Sequence, residues 1–89
     1  MNIKRKEVLM NQYYHRLREL REDHDLTQKQ VADYLGTYQP HYGKYERGER
    51  DIPTDYLIRL ADLYKTSTDY ILGRTDNPKP YGDTIEHKI

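Results

Sequence analysis

One stretch restricts the fold of this chain more than any other: Leu26 to Gly48, LTQKQVADYLGTYQPHYGKYERG. It carries the start and stop signals of two short helices. Thr27 is a good N-cap, and Gln30 three residues later completes a capping box. Val31, Ala32 and Leu35 then turn inward, and Gly36 stands where a left-handed glycine ends a helix. The second helix runs from Gln39 to Arg47, with Tyr42 and Tyr45 turned inward and Gly48 as its stop. A tight turn separates the two, and polar and basic side chains cover the outer side of the second.

Weaker signals extend the pattern in both directions. Over 13–23, Tyr13, Leu17 and Leu20 fall at i, i+4 and i+7 with Tyr14 beside them, which predicts a helix. Residues 1–12 read as a basic arm or as a backward extension of that helix through Ile3 and Met10. After the pair, ERDIP at 49–53 reads as a loop, and Thr54 is placed to cap a helix over 55–64. Leu57, Leu60, Ala61 and Tyr64 share one face of it. Thr66, Ser67 and Asp69 mark a last helix start, and Gly73 stops it. Residues 74–89, with Pro78, Pro80 and Gly82 among polar residues, read as a tail. No strand alternation appears. The expected architecture is all-α, with five helices in one domain over 13–73.

Composition narrows the function classes. With 89 residues and 35% hydrophobic content, one small domain with a limited core is expected, and a dimer would help it. There are no cysteines, which fits a cytoplasmic location and removes disulfides and thiolate metal sites. No apolar run reaches membrane-span length, and the N-terminus lacks the apolar core of a secretory signal. Fifteen basic and fifteen acidic residues cancel, so any affinity for nucleic acid must come from local clustering. Lys4, Arg5, Lys6, Arg16, Arg18 and Arg21 crowd the first quarter, and Lys44, Arg47 and Arg50 cluster later. His15, His24, His41 and His87 are scattered, and no zinc site or other cofactor is expected. No phosphate loop, cysteine nucleophile or paired carboxylates speak for an enzyme.

The segments LRELRE at 17–22, LTQKQVADYLG at 26–36, YERGER at 45–50, IP at 52–53, LIRLADLY at 57–64 and TSTDYILGRTD at 66–76 occur in one order and spacing. Together they resemble the Cro/C1-type, XRE-like helix-turn-helix domain of phage and bacterial transcriptional repressors. The likeness runs from Tyr13 to Asp76. It implies a five-helix, lambda-repressor-like fold with the helix-turn-helix at the second and third helices. It also implies that the third helix docks in the major groove of double-stranded DNA while the second crosses the backbone. By the same resemblance, Gln28 touches the backbone and braces Gln39, Arg47 and Arg50 touch phosphates, and Arg21 pairs with Glu46.

Residue chemistry gives these roles content. Thr27 and Gln28 sit at a helix N-terminus, where free N–H groups attract a phosphate. The Gln39 amide suits adenine N6 and N7, and Lys44 suits guanine O6 or N7, or a phosphate. His41 could touch a phosphate, with a solvated side chain as the default reading. Glu46 stands near a helix C-terminus, where a carboxylate is disfavoured unless a cation offsets it. Tyr42, Tyr45, Tyr64 and Tyr70 read as core or interface residues. Three positions depart from the family pattern: Tyr38 where Ser or Thr usually caps, Pro40 in the first turn, and Gly43 in mid-helix. Either Gly43 lets DNA approach while Tyr38 packs on a sugar or a thymine methyl, or this surface serves another partner.

The leading expectation is a sequence-specific DNA-binding regulator, a repressor acting as a homodimer on a two-fold operator, with a dimer contact around Tyr70 to Tyr81. The rival is a helix-turn-helix protein-interaction module, pairing with a toxin or antirepressor and binding DNA weakly or not at all. The sequence leaves open whether a further domain follows.

Overall fold

The computed structural model describes residues 15–80. The arm over 1–12, the stripe members Tyr13 and Tyr14, and the tail from Tyr81 onward lie outside the described residues. Among those residues five helices follow one another with no strand: α1, described over 15–23; α2, Gln28–Leu35; α3, Gln39–Glu46; α4, Thr54–Leu63; and α5, Thr68–Ile71. No helix among them is long and apolar enough to cross a membrane.

All five helices stop in the same way. The residues Asp25, Gly36, Gly48, Lys65 and Gly73 take left-handed backbone. Behind each, an N–H bonds back to a carbonyl of the last turn: Leu26 to Arg21, Thr37 to Ala32, Glu49 to Lys44, Thr66 to Ala61 and Arg74 to Asp69, at 2.8–3.1 Å. These bonds satisfy carbonyls that a helix end would otherwise leave without partners. At Gly36 nothing lies within 4 Å of where a Cβ would stand, so its φ of 82° alone favours glycine. Asp25 and Lys65 reach the same conformation with a side chain attached, and neither stop has a glycine to announce it.

The helix starts are more varied. Thr27 Oγ1 accepts from the Gln30 N–H at 3.0 Å, and Gln30 Oε1 accepts from the Thr27 N–H at 2.8 Å, closing the capping box. Ser67 Oγ accepts from the Tyr70 N–H at 2.9 Å and caps α5. At α4 the expected cap is displaced. Pro53 occupies the cap position, and Thr54 is the first helical residue with no capping bond from its side chain. The fixed φ of Pro53 already suits a cap, its carbonyl takes the Leu57 N–H, and Asp55 supplies negative charge in the first turn.

Leu17 and Leu20 of α1, Val31, Ala32 and Leu35 of α2, and Leu57, Leu60 and Ala61 of α4 enclose the Tyr42 and Tyr45 rings of α3. Tyr42 is fully buried, so truncating it to Ala should cost about 3–5 kcal/mol. Tyr64 and Ile71 close the far side, while Tyr70 is only half-buried.

Two arginines bind the layers together. Arg16 donates to the carbonyls of Tyr70 (2.8 Å) and Thr75 (2.7 Å) and to Asp76 Oδ1 (2.9 Å), with its guanidinium 4.0 Å over the Tyr70 ring. These bonds tie the segment after Gly73, at Thr75 and Asp76, to α1. Arg59 donates to the carbonyls of Tyr34 (2.7 Å) and Leu35 (3.3 Å), closing the C-terminus of α2 from α4.

A left-handed conformation is costly for any residue with a Cβ. Lys65→Gly should therefore raise stability by roughly 0.5–1 kcal/mol, read as a melting temperature higher by a few degrees. A melting temperature that falls or stays put would contradict this view of the α4 stop.

Candidate nucleic-acid interface

The outer edge of α3 is held from behind by a buried carboxylate. Glu46, in the last turn of α3, has a side chain only 3% exposed. Arg21 of α1 meets it in a two-pronged ion pair, Nε to Oε2 at 2.7 Å and Nη2 to Oε1 at 3.1 Å. Arg21 Nη1 also donates to the Leu26 carbonyl at 3.0 Å, which ties the α1–α2 turn to the same pair. Gln28 Nε2 of α2 donates to Glu46 Oε1 at 3.1 Å. Burial works to raise the Glu46 carboxyl pKa, and the hydrogen bonds from Arg21 and Gln28, together with the nearby Tyr42 hydroxyl, outweigh it, so the net shift is downward. The Tyr42 hydroxyl lies beside the carboxylate but outside strict hydrogen-bond geometry, and burial holds it un-ionised. The Glu46 hydrogen bond holds the Arg21 guanidinium more firmly in its charged form.

A carboxylate can only accept, so the Gln28 NH2 must face Glu46 and its carbonyl must face away. That carbonyl accepts from Gln39 Nε2 at 3.0 Å. The bond fixes Gln39 at the start of α3 with its second N–H and its Oε1 still available. Those two groups match what adenine offers in the major groove.

Gly43 has a different neighbour from the one the sequence suggests. It is buried, and a Cβ there would stand 3.0 Å from Arg47 Nη1 and 3.3 Å from Gln28 Oε1. Gln39, Gly43 and Arg47 form one stripe of α3 at helical spacing, and the Gln28 side chain lies across it. The missing side chain thus makes room for the Gln28 amide and the Arg47 guanidinium.

The remaining candidates divide by what already holds them. Thr27 is exposed, with its hydroxyl used in the capping box. Tyr38 is the N-cap of α3 without a capping bond and is 65% exposed. Pro40 is exposed in the first turn, where its missing N–H removes no helix bond. His41 sits between the Tyr38 and Tyr45 rings, at 5.7 and 5.9 Å. Lys44 is exposed on the outer side of α3 and lies within electrostatic reach of Glu49. Arg47 Nε pairs with Glu49 Oε2 at 2.7 Å in the open, and Arg50 is exposed near Tyr45. Arg18, which the sequence offers only as one of a run of basic residues, lines a cleft of about 310 Å³ with Arg21, Gln28, Glu46 and Arg47. Its i,i+4 partner Glu22, at 3.0 Å, is a local signal that points to a solvated pair instead.

The lowered Glu46 carboxyl gives the fold an acid dependence. A group depressed in the folded state contributes stability above its unfolded pKa and loses it as pH falls through the folded one. Glu46→Gln leaves Arg21 poorly paired and should cost about 3 kcal/mol near neutral pH. As pH falls through and below the usual carboxylate range the wild type should lose that advantage, so the two melting curves converge in acid. Curves that stay parallel would show that the carboxylate contributes nothing.

Comparison with known proteins agrees with this architecture. A family model described as helix-turn-helix matches residues 17–71. The chain is 48% identical over 68 residues to the uncharacterized HTH-type transcriptional regulator YobD of Bacillus subtilis (strain 168), covering 76% of this chain and 61% of that protein. It is 42% identical over 64 residues to the HTH-type transcriptional regulator ImmR of the same organism, covering 72% and 50%. With the HTH-type transcriptional regulator AnsR, also from that organism, identity is 37% over 71 residues, covering 80% and 61%. The chain thus spans about half to three-fifths of the length of these relatives. No solved structure matches it. With more than half of its length matched, and with α2 and α3 set at a tight turn, the chain belongs to the helix-turn-helix family.

Proposed function

We propose that this chain binds double-stranded DNA in a sequence-specific manner and regulates transcription, as a bacterial or phage-encoded repressor in the cytoplasm. The observation that carries the reading is the Gln28–Gln39 hydrogen bond, which presents an amide with one donor and one acceptor free at the start of α3. In this reading α3 enters the major groove. Gln39 and Lys44 meet base edges, and Thr27 and Gln28 meet a phosphate at the α2 N-terminus. Arg47 and Arg50 meet phosphates near the α3 end. The names of the relatives, as HTH-type transcriptional regulators, support the same class.

Affinity must come from this local surface, because the whole chain has a formal net charge of zero. One small domain covers little DNA, which favours a homodimer on a two-fold operator with half-sites about one helical turn apart. Repression then follows from occupying a promoter and needs no chemistry and no cofactor.

The test is electrophoretic mobility of duplexes selected from a random pool, at salt concentrations from about 50 to 200 mM. Binding should weaken steeply with salt. Arg50→Ala should make that dependence shallower by about one phosphate contact. Gln39→Ala should cost about 1–3 kcal/mol at one base pair of each half-site and relax its identity. Absence of binding even at low salt would turn the reading toward a protein-interaction module.

A further inference from the structure

The first turn of α3 has a feature that the roles above leave unused. Among the described residues Tyr34, Tyr38 and Ile58 are the exposed large apolar side chains. Tyr34 is occupied: its hydroxyl donates to the Arg59 carbonyl at 3.1 Å, and the Arg59 guanidinium lies 5.3 Å from its ring. Tyr38 has no such engagement through its hydroxyl. It makes no capping bond at a position where Ser, Thr, Asn or Asp would make one, so helix stability does not explain it.

The ring is nonetheless braced. The His41 ring meets it at 5.7 Å and 63°, and His41 in turn meets Tyr45 of the core at 5.9 Å. Beside it stand exposed Pro40, which has no N–H, and Gln39, which has given one N–H to Gln28. Beside the remaining Gln39 N–H and Oε1, the leading edge of α3 therefore presents apolar surface at Tyr38 and Pro40. In the major groove one group answers to apolar surface, the C5-methyl of thymine.

Resting on the DNA-reading role proposed above, we infer that the Tyr38 ring packs against a thymine C5-methyl group in each half-site and selects for that base. His41 acts as a positioning residue that holds the ring in place. The contact is apolar, so the phenolic hydroxyl takes no part in it.

The test uses duplexes selected by the wild-type chain from a random pool and resynthesised with deoxyuridine at single thymines. This exchange removes the methyl group and leaves every hydrogen-bonding group of the base in place. One thymine per half-site should lose about fourfold in affinity, the scale of one buried methyl group. Tyr38→Ala should bind the thymine duplex more weakly by at least that factor and show no further loss with deoxyuridine. Tyr38→Phe should behave as the wild type. Tyr38→Ser, which supplies a capping hydroxyl, should match the alanine variant in binding while keeping the fold.

Two results would overturn the inference and leave DNA binding standing. One is selection of duplexes with no deoxyuridine-sensitive thymine, or with equal sensitivity in wild type and Tyr38→Ala. The other is a Tyr38→Phe variant as weak as Tyr38→Ala, which would assign the contact to the hydroxyl. A pool that yields no duplex above background would overturn the DNA-reading role, and this inference with it.

Discussion

A carboxylate that loses its water must be given donors, and the arrangement of this domain follows from where the donors for Glu46 come from. Charge-assisted hydrogen bonds contribute about 1.5–3 kcal/mol each when made, and an unpaired buried charge costs more. Arg21 reaches Glu46 from α1 and Gln28 from α2, so three helices share one acceptor. The apolar core sets their separation, with Tyr42 and Tyr45 filling the space between them. The polar pair sets their register, because a shift of one residue would remove the acceptor from both donors. Glu46 also lies where the helix dipole opposes a negative charge, which makes the Arg21 guanidinium necessary rather than decorative.

The carboxylate acts at a distance as well. Because it only accepts, it decides which way the Gln28 amide faces, and Gln28 decides which way the Gln39 amide faces. A polarity set in the interior is thereby carried to the outer edge of α3. Gly43 belongs to this line, since a side chain there would crowd the Gln28 amide and the Arg47 guanidinium. What looks like a weak spot in the helix is the space through which the interior is connected to the surface.

Local signals made much of this legible from the residues. The capping box at Thr27 and Gln30 needs only four residues, and it forms as read. The inward positions on α2, α3 and α4 follow helical spacing and are buried. Legibility ended where a contact joined distant segments or where a residue took an unfavoured conformation. Nothing near Arg16 announces that it meets Thr75 and Asp76, because the contact exists only after α1 and α5 have packed. Lys65 ends α4 in a conformation that sequence reasoning reserves for glycine. Pro53 takes a cap position that Thr54 is chemically better suited to fill. Gly43 could not be interpreted without knowing that Gln28 lies over it. The Arg21–Glu46 pair was legible through family resemblance, since twenty-five positions separate the two residues.

In the proposed complex, then, the reading edge is only as good as the bridge behind it. The most direct measurement is a double-mutant cycle of Gln28→Ala and Gln39→Ala on the affinity for a selected duplex. The account predicts a coupling of about 1 kcal/mol, because removing Gln28 frees the Gln39 amide to turn away from the base. Additive losses, with no coupling between the two positions, would contradict it.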